Sequence, residues 1–379
     1  MKDIVEEFIT RDIATHKPSR SSGEVFLKSN KSKIMSRIII PKNYQSLLDI
    51  KSTEHAIKFI KDHFQINLAA ELHLKRITAP MFVKKGTGIN DDLNGIEKPV
   101  SFRVKDIKNE EFEIVQSLAK WKRLMLADLE MNNGAGIYTD MNAIRPDEIL
   151  SNIHSIYVDQ WDWEKVISAV DLNPDYLKET VTKIYNAIKR IEFLVSEAFP
   201  QIKEKLPETI KFIHSEELLA LYPDSNPKER ENKITEKFGA VFIIGIGSVL
   251  ANGKPHDGRA PDYDDWTTET KNGYKGLNGD IIVWNPVLES AYEISSMGIR
   301  VDKETMLNQL IITGNDNRKE LYFHKRLLNN ELPLTIGGGI GQSRLCMYLL
   351  SKAHIGEVQA GIWPDEMIES CAKAGIKLL

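Results

Sequence analysis

The sequence predicts an α+β fold in which helices flank an antiparallel β-sheet, and three observations predict it. Segments rich in β-branched and aromatic residues, bounded by Gly, Asn, Asp or Pro, occur at residues 112–118, 137–145, 156–163, 238–246 and 280–284. They are not regularly separated by helical patterns, and the second and third are hairpin-like neighbours, which disfavours a doubly wound parallel sheet. A chain of 379 residues with 42% apolar and 27% charged residues has ordinary globular composition and is long enough to bury a substantial core.

Taken in order, the first segment reads as a tail. Between residues 17 and 42, seven basic residues (Lys17, Arg20, Lys28, Lys31, Lys33, Arg37, Lys42) face one acid, Glu24, in Ser-rich sequence. Residues 1–41 are therefore assigned to a basic, disordered extension, read as solvated rather than as a nucleic-acid arm. Met35 leaves a downstream start open. Residues 42–379 are assigned to a single domain.

A helix follows Ser52-Thr53, a plausible N-cap pair, with Ile57, Ile60 and Phe64 on its apolar stripe. Leu68, Leu72 and Leu74 then lead into an extended stretch in which Pro80 fits an edge or a strand end. Residues 176–199 read as a long amphipathic helix, its stripe formed by Leu177, Val181, Ile184, Ile188, Ile191 and Val195.

Composition narrows the function. No stretch approaches the roughly 20 apolar residues of a spanning helix, and no signal-peptide core is visible, so a cytoplasmic location and no membrane partner are expected. The formal net charge of -4 gives no basic bias that would advertise nucleic acid, and none is expected as a partner. Two cysteines, Cys346 and Cys371, are too few for a disulfide framework or a cysteine-based zinc site, and are read as buried apolar residues.

Four segments carry candidate chemistry. In residues 335–345, Gly337, Gly338, Gly339 and Gly341 follow a strand-like piece at residues 332–336 and precede a helical pattern. Glycines there allow close approach to a ligand, and Arg344 in the first helical turn adds a cationic fork to the helix N-terminus, an anion site in outline. A tight strand-to-helix turn would call for the same glycines, and no Lys-Ser/Thr pair makes this a P-loop. In the second segment, strand parity puts Val158, Gln160 and Asp162 on one face and Tyr157, Asp159, Trp161 and Trp163 on the other, with Arg145 at the mouth of the preceding loop. A structural strand would instead turn its polar residues to water. Asp280 and Glu293 form the third element, a carboxylate pair suited to Mg²⁺, against which stands a pair of solvated strand ends. In the fourth, residues 256–266, Arg259 lies among Asp257, Asp262, Asp264 and Asp265, either in a polar loop or held rigid to meet a substrate carboxylate.

Together these segments resemble the catalytic domain of class II aminoacyl-tRNA synthetases, with Pro80 as the motif 1 proline, Arg145 in the motif 2 loop and residues 337–344 as motif 3. Residues 117–123 (SLAKWKR), 145–148 (RPDE), 157–163 (YVDQWDW), 259–266 (RAPDYDDW), 276–280 (GLNGD), 295–300 (SSMGIR) and 337–344 (GGGIGQSR) resemble more specifically the ammonia-dependent asparagine synthetases, or aspartate–ammonia ligases. The similarity spans residues 44–379.

The resemblance implies a homodimer of class II synthetase fold that adenylates the β-carboxylate of L-aspartate with ATP and lets ammonia displace AMP, releasing pyrophosphate. It implies that Arg145 meets the α-phosphate and Arg344 the γ-phosphate or adenine face, with Arg259, Gly339 and Gly341 also at ATP. It further implies that Asp280, Glu293 and Ser296 hold Mg²⁺, although Ser296 lies on the opposite parity from Glu293 unless the strand bulges. Ser117, Lys122, Gln160, Asp162 and Arg300 match positions that grip aspartate, and Asp91 matches the acid beside the attacking nitrogen, with Asp92 as the register alternative. Motif 2 usually has an acid two residues after the Arg; here Asp147 is followed by Glu148, which leaves the adenine contact open.

Three other readings are weighed. An aspartyl- or asparaginyl-tRNA synthetase would share the adenylation, but too few residues precede the catalytic block for an OB-fold. A silent paralogue would be expected to have lost Arg145, Arg344 or Glu293, and all are present. A glutamine-dependent synthetase would need Cys after Met1, where Lys2 stands.

Overall fold

The structure is a computed structural model and describes residues 37–91, 93 and 97–379. Most of the basic extension lies outside the described residues. The strands are β1 (Leu74–Arg76), β2 (Phe82–Lys84), β3 (Ser101–Phe102), β4 (Phe112–Ile114), β5 (Gly136–Ile144) and β6 (Tyr157–Val166), followed by β7 (Lys211–His214), β8 (Ala240–Ile244), β9 (Asn278–Asn285), β10 (Ser290–Ile299) and β11 (Thr335–Gly341). The helices are α1 (Ile50–Leu72), α2 (Ala119–Asp128), α3 (Pro174–Ala198), α4 (Ser215–Leu221), α5 (Pro227–Phe238), α6 (Lys303–Ile312), α7 (Tyr322–Leu328), α8 (Gln342–Leu349) and α9 (Asp365–Lys373).

The main sheet runs β1-β5-β6-β11-β10-β9-β8-β7, and β2-β4-β3 form a small second sheet. Pairing from β5 through β6, β11, β10 and β9 to β8 is antiparallel throughout, as the alternating segments predict, and the two outermost pairs, β1 with β5 and β7 with β8, are parallel. This is the expected α+β architecture with parallel edges added.

Helices α1, α3 and α8 cover one face of the sheet. Along α1, Ala56, Ile60, Phe64, Leu68 and Leu72 recur at spacings of three and four and are buried, so the helix continues through residues that the sequence suggested as a lead into extended chain. Its N-cap is Asp49, whose side chain accepts from Ser52 N, rather than Ser52 or Thr53. Ile57 sits beside the stripe, only partly buried. The six stripe residues of α3 are all buried, and Asn173 caps that helix with Pro174 in its first turn. Both helices close on Trp161 and Trp163 of β6, and the Phe64 ring stands 4.6 Å from that of Trp161.

Four expectations are corrected. The glycine run is not a turn but the body of β11, paired on both sides with β6 and β10. The segment at 112–118 is extended only over Phe112–Ile114, since Ala119 already begins α2, and Phe238 ends α5 instead of opening β8. Pro80 lies between β1 and β2, outside either strand.

Phe64→Ala removes the ring that joins α1 to β6 and is expected to destabilise the protein by about 3–5 kcal/mol. Equilibrium urea unfolding measures it, as a lower midpoint at an unchanged slope.

Candidate active site

The face of the sheet opposite α1 and α3 carries the cleft. In β6 the odd-numbered Trp161 and Trp163 enter the core, so Gln160, Asp162 and Glu164 point the other way, as the parity argument predicts for the first two. In β10 the core takes Tyr292 and Ile294, then Met297 and Ile299. That change of parity is a β-bulge between Glu293 and Ser295. It returns Ser296 and Arg300 to the face of Glu293, which plain alternation denied Ser296, and all three line the cleft.

Between these strands runs β11, whose glycines leave the space that the neighbours' polar side chains fill. A Cβ on Gly337 would collide with the Glu164 carboxylate and Arg300, and one on Gly339 with the Gln160 amide. The broad end of the cleft, about 320 Å³, is lined by Asp91, Ser117, Gln160, Asp162, Arg259 and Arg300 among others. A narrower recess of about 80 Å³ is lined by His154, Asp159, Gly341 and Arg344. Arg145, Glu148, Gln160, Glu293 and Gly339 belong to both, so the two parts are continuous.

Beneath the broad end lies a set of buried charges. Glu164, fully buried, accepts from Arg300 Nε at 3.0 Å and Nη2 at 2.9 Å and from Thr335 Oγ1 at 2.7 Å, and lies 3.7 Å from Lys122 Nζ. Asp264 takes the remaining guanidinium edge of Arg300. Burial would raise the Glu164 carboxyl pKa, but Arg300 and Lys122 hold it below the usual range. Lys122 is wholly enclosed: it binds Asp162, Trp163 O at 2.8 Å and Gly338 O at 3.2 Å, and positions Asp162 from below without lining the cavity.

Arg259 donates to Asp280 and, at 3.0 Å, to Ser296 Oγ, with Asp264 at 3.9 Å. It is thus the rigidly held arginine considered from the sequence. Burial pushes the Asp280 carboxyl up to about 7; Arg259 offsets this in part and Glu293 adds to it. Arg344 occupies the first turn of α8, donating to Glu293 O at 3.1 Å and lying 3.6 Å from its carboxylate. The amides there are less available than the sequence suggested, because Ser343 N is already capped by Asp159 Oδ1 at 2.9 Å. Arg145 is braced on Gln116 O at 2.9 Å, Asp147 is tied to Lys98 N at 2.9 Å, and Glu148 faces the cleft. Ser117 Oγ accepts from Ala119 N at 3.2 Å at the start of α2.

Asp91 is buried at the cleft edge, accepting from Leu93 N at 3.1 Å, while its carbonyl accepts from Gln116 Nε2 at 2.9 Å. Asp92 lies outside the described residues. The structure therefore gathers the selected residues in or directly under one cleft. It adds Glu164, Tyr263 and Asp264, together with His154, whose ring burial and the nearby Arg344 keep neutral, its pKa lowered to about 3. Glu164 was within reach of the parity argument, being the next even residue after Asp162.

The sequence model described as aspartate-ammonia ligase matches residues 51–375. Curated aspartate–ammonia ligases of Bacteroides fragilis and Parabacteroides distasonis are 62% and 61% identical over 345 residues, 91% of this chain and all of theirs. One from Clostridium perfringens is 56% identical over the same share. Among solved structures, asparaginyl-tRNA synthetases with asparaginyl-adenylate from Pyrococcus horikoshii and Entamoeba histolytica superpose with TM-scores of 0.61 and 0.60 at 16% and 14% identity. The superpositions cover 83% and 82% of this chain and 70% and 66% of those chains, and they show a shared fold.

Glu164→Leu leaves Lys122 and Arg300 short of their common anion, and stability measured in urea is expected to fall by about 3–5 kcal/mol. Gly337→Ala, which displaces the same carboxylate sterically, is expected to lower it in the same direction.

Proposed function

The chain belongs to the aspartate–ammonia ligase family and makes L-asparagine from L-aspartate and ammonia with ATP, and we propose that its cleft does so through a β-aspartyl adenylate. The observation that supports this is the continuity of an arginine-bearing recess, suited to a nucleotide, with a broader end where fixed cations and carboxylates alternate, suited to a zwitterion.

Aspartate occupies the broad end. Asp162, fixed by Lys122, accepts from the substrate ammonium group; Arg300, held between Glu164 and Asp264, meets a carboxylate; Ser117 and Gln160 donate to the remaining oxygens. ATP lies with its adenosine towards His154 and Arg344, along Gly339 and Gly341, where the missing side chains admit it. Arg145 and Arg344 bear on the α- and γ-phosphates, and Arg259 reaches the phosphate chain from the floor.

The β-carboxylate attacks the α-phosphorus, forming a C–O–P linkage as pyrophosphate leaves with the electron pair of the broken P–O bond. Arg145 and Arg344 stabilise the charge that gathers on the phosphoryl oxygens. Asp91 accepts one proton from ammonium, and the ammonia so formed attacks the acyl carbon. The bond to AMP breaks, AMP leaves with the electron pair, and the new amide nitrogen sheds one further proton.

Asp280, Glu293 and Ser296 are hard oxygen donors on one face. Glu293 and Ser296 line the cleft and Asp280 stands opposite Ser296 on the neighbouring strand, which fits a site for Mg²⁺. When bound, the ion supplies further neutralisation of the ATP phosphates. Residues 42–379 act as one catalytic domain, in a cytoplasmic homodimer with no nucleic-acid partner.

With aspartate, ATP, MgCl₂ and ammonium chloride, and without tRNA, purified protein is expected to give asparagine, AMP and pyrophosphate in equal amounts. ¹⁸O from the β-carboxylate should appear in AMP; its appearance in inorganic phosphate alongside ADP would establish an acyl phosphate instead. Arg344→Ala is expected to lower kcat by about 10²–10³. Chelation with EDTA should abolish turnover, and added Mg²⁺ should restore it.

A further inference from the structure

Arg259 and Arg300 both line the broad end of the cleft, and they are held differently. Arg300 has each edge of its guanidinium on a carboxylate, Nε and Nη2 on Glu164 and Nη1 on Asp264. Arg259 is nearer the solvent, with 12% of its side chain exposed against 3% for Arg300, and its hold is incomplete. Its Nη2 serves both Asp280 and Ser296 Oγ, the latter at 3.0 Å, while Nη1 donates to Gly258 O at 3.1 Å. Among the described residues Nε has no hydrogen-bond partner, and Asp264 Oδ2 is 3.9 Å away.

The two groups that hold Nη2 are also two of the three oxygen donors assigned to Mg²⁺. Asp280 is buried opposite Ser296 on the paired strands β9 and β10, and the third donor, Glu293, lines the same cleft. The guanidinium is a permanent cation, and it neutralises Asp280 from the side on which a metal ion would approach. Taking Arg259 away by itself would leave Asp280 a buried carboxylate without a counter-ion, which is strongly unfavourable. Departure of the arginine is therefore tied to arrival of another cation. The backbone need not move for the exchange: Ala260 is buried and its carbonyl accepts from Trp266 Nε1 at 3.2 Å, so the side chain alone turns into the cleft that it already lines.

A free divalent ion offers a cation to Asp280 but no anion to Arg259. ATP alone offers phosphates to Arg259, which a guanidinium binds well, but it brings negative charge beside Glu293 and an uncovered Asp280. Only the two together satisfy both sides. We propose that Arg259 holds the place of the divalent cation in the free enzyme and yields it to ATP and Mg²⁺ jointly, turning from Asp280 and Ser296 to the phosphate chain. The proposal rests on the Mg²⁺ reading of Asp280, Glu293 and Ser296. Its consequence is a coupling between ion and nucleotide, each bound weakly alone and strongly in the presence of the other. The affinity of the free ion is lowered by the small fraction of molecules in which Arg259 has turned away.

The test titrates the full-length enzyme with Mn²⁺ in the absence of nucleotide, reading bound and free ion by electron paramagnetic resonance. Arg259→Met removes the competing cation, and Arg259→Gln, which keeps a donor for Asp280, serves if the first variant does not fold. The expected result is a Kd for Mn²⁺ about tenfold or more lower than in the unaltered enzyme, with the gained site lost again when Asp280→Asn is added. Arg145→Met removes the same charge from the cleft without touching the three donors, and should change the Kd by less than about threefold. Equal Mn²⁺ affinity in the unaltered enzyme and the Arg259 variants would overturn the proposal. So would an equal gain from Arg145→Met, which would reduce the effect to general electrostatics, or a gain that survives Asp280→Asn. Turnover of the unaltered enzyme that persists in EDTA would count against the Mg²⁺ reading itself, while the Mn²⁺ titration would still decide whether Arg259 keeps a cation out.

Discussion

The structure depends on one steric constraint: no side chain can stand at Gly337 or Gly339 on the cleft face of the central strand β11. Gly337 and Gly339 lie directly against Glu164 and Gln160 of β6, which reach across the strand, while Gly338 faces Met297 on the other side of the sheet. A run of glycines in a strand is entropically costly to order and packs no side chains of its own. Here it is held in place because both neighbours pair with it along its length, and Ile336 and Ile340 anchor it in the helix-covered core. The space it leaves is filled by charge, and the site is built from that charge.

Charge in that position is stable only as a connected set. Glu164 alone would be an uncompensated buried carboxylate, and Arg300 and Lys122 alone would be uncompensated buried cations. Joined, Glu164 binds Arg300 and Thr335, Asp264 binds the far edge of Arg300, and Lys122 binds Asp162 and two backbone carbonyls. The groups that face the cavity are therefore fixed from behind before any ligand arrives, which is the pre-organisation that electrostatic catalysis requires. The narrow recess is organised differently: Arg145 and Arg344 each lean on a backbone carbonyl and remain only partly buried, so their charge is less compensated.

Which features were legible in the sequence follows from the range of the forces involved. Period-two alternation placed Gln160 and Asp162 opposite Trp161 and Trp163, because one face of β6 is wholly apolar and covered. The α3 stripe was legible for the same reason. What failed was whatever depended on a partner strand. Glycines in isolation signal a turn, and only pairing on both sides turns residues 335–341 into a strand. The bulge in β10 adds one unpaired residue, invisible to alternation, and it decides whether Ser296 shares a face with Glu293. That Lys122 lies beneath the cavity while Ser117 lines it could not be read from their spacing either, since depth is set by how α2 lies against β6 and β11.

The fold shared with asparaginyl-tRNA synthetases at 14–16% identity says nothing of what receives the activated carboxyl group. The acceptor must be argued from the side of the cleft away from the nucleotide. There Asp91 borders the broad end of the cleft, and beyond it residues of the loop at 84–90 and of helix α7 line a space of about 200 Å³. Free ammonia is the smallest nucleophile such chemistry takes, and it needs no groove for a large partner.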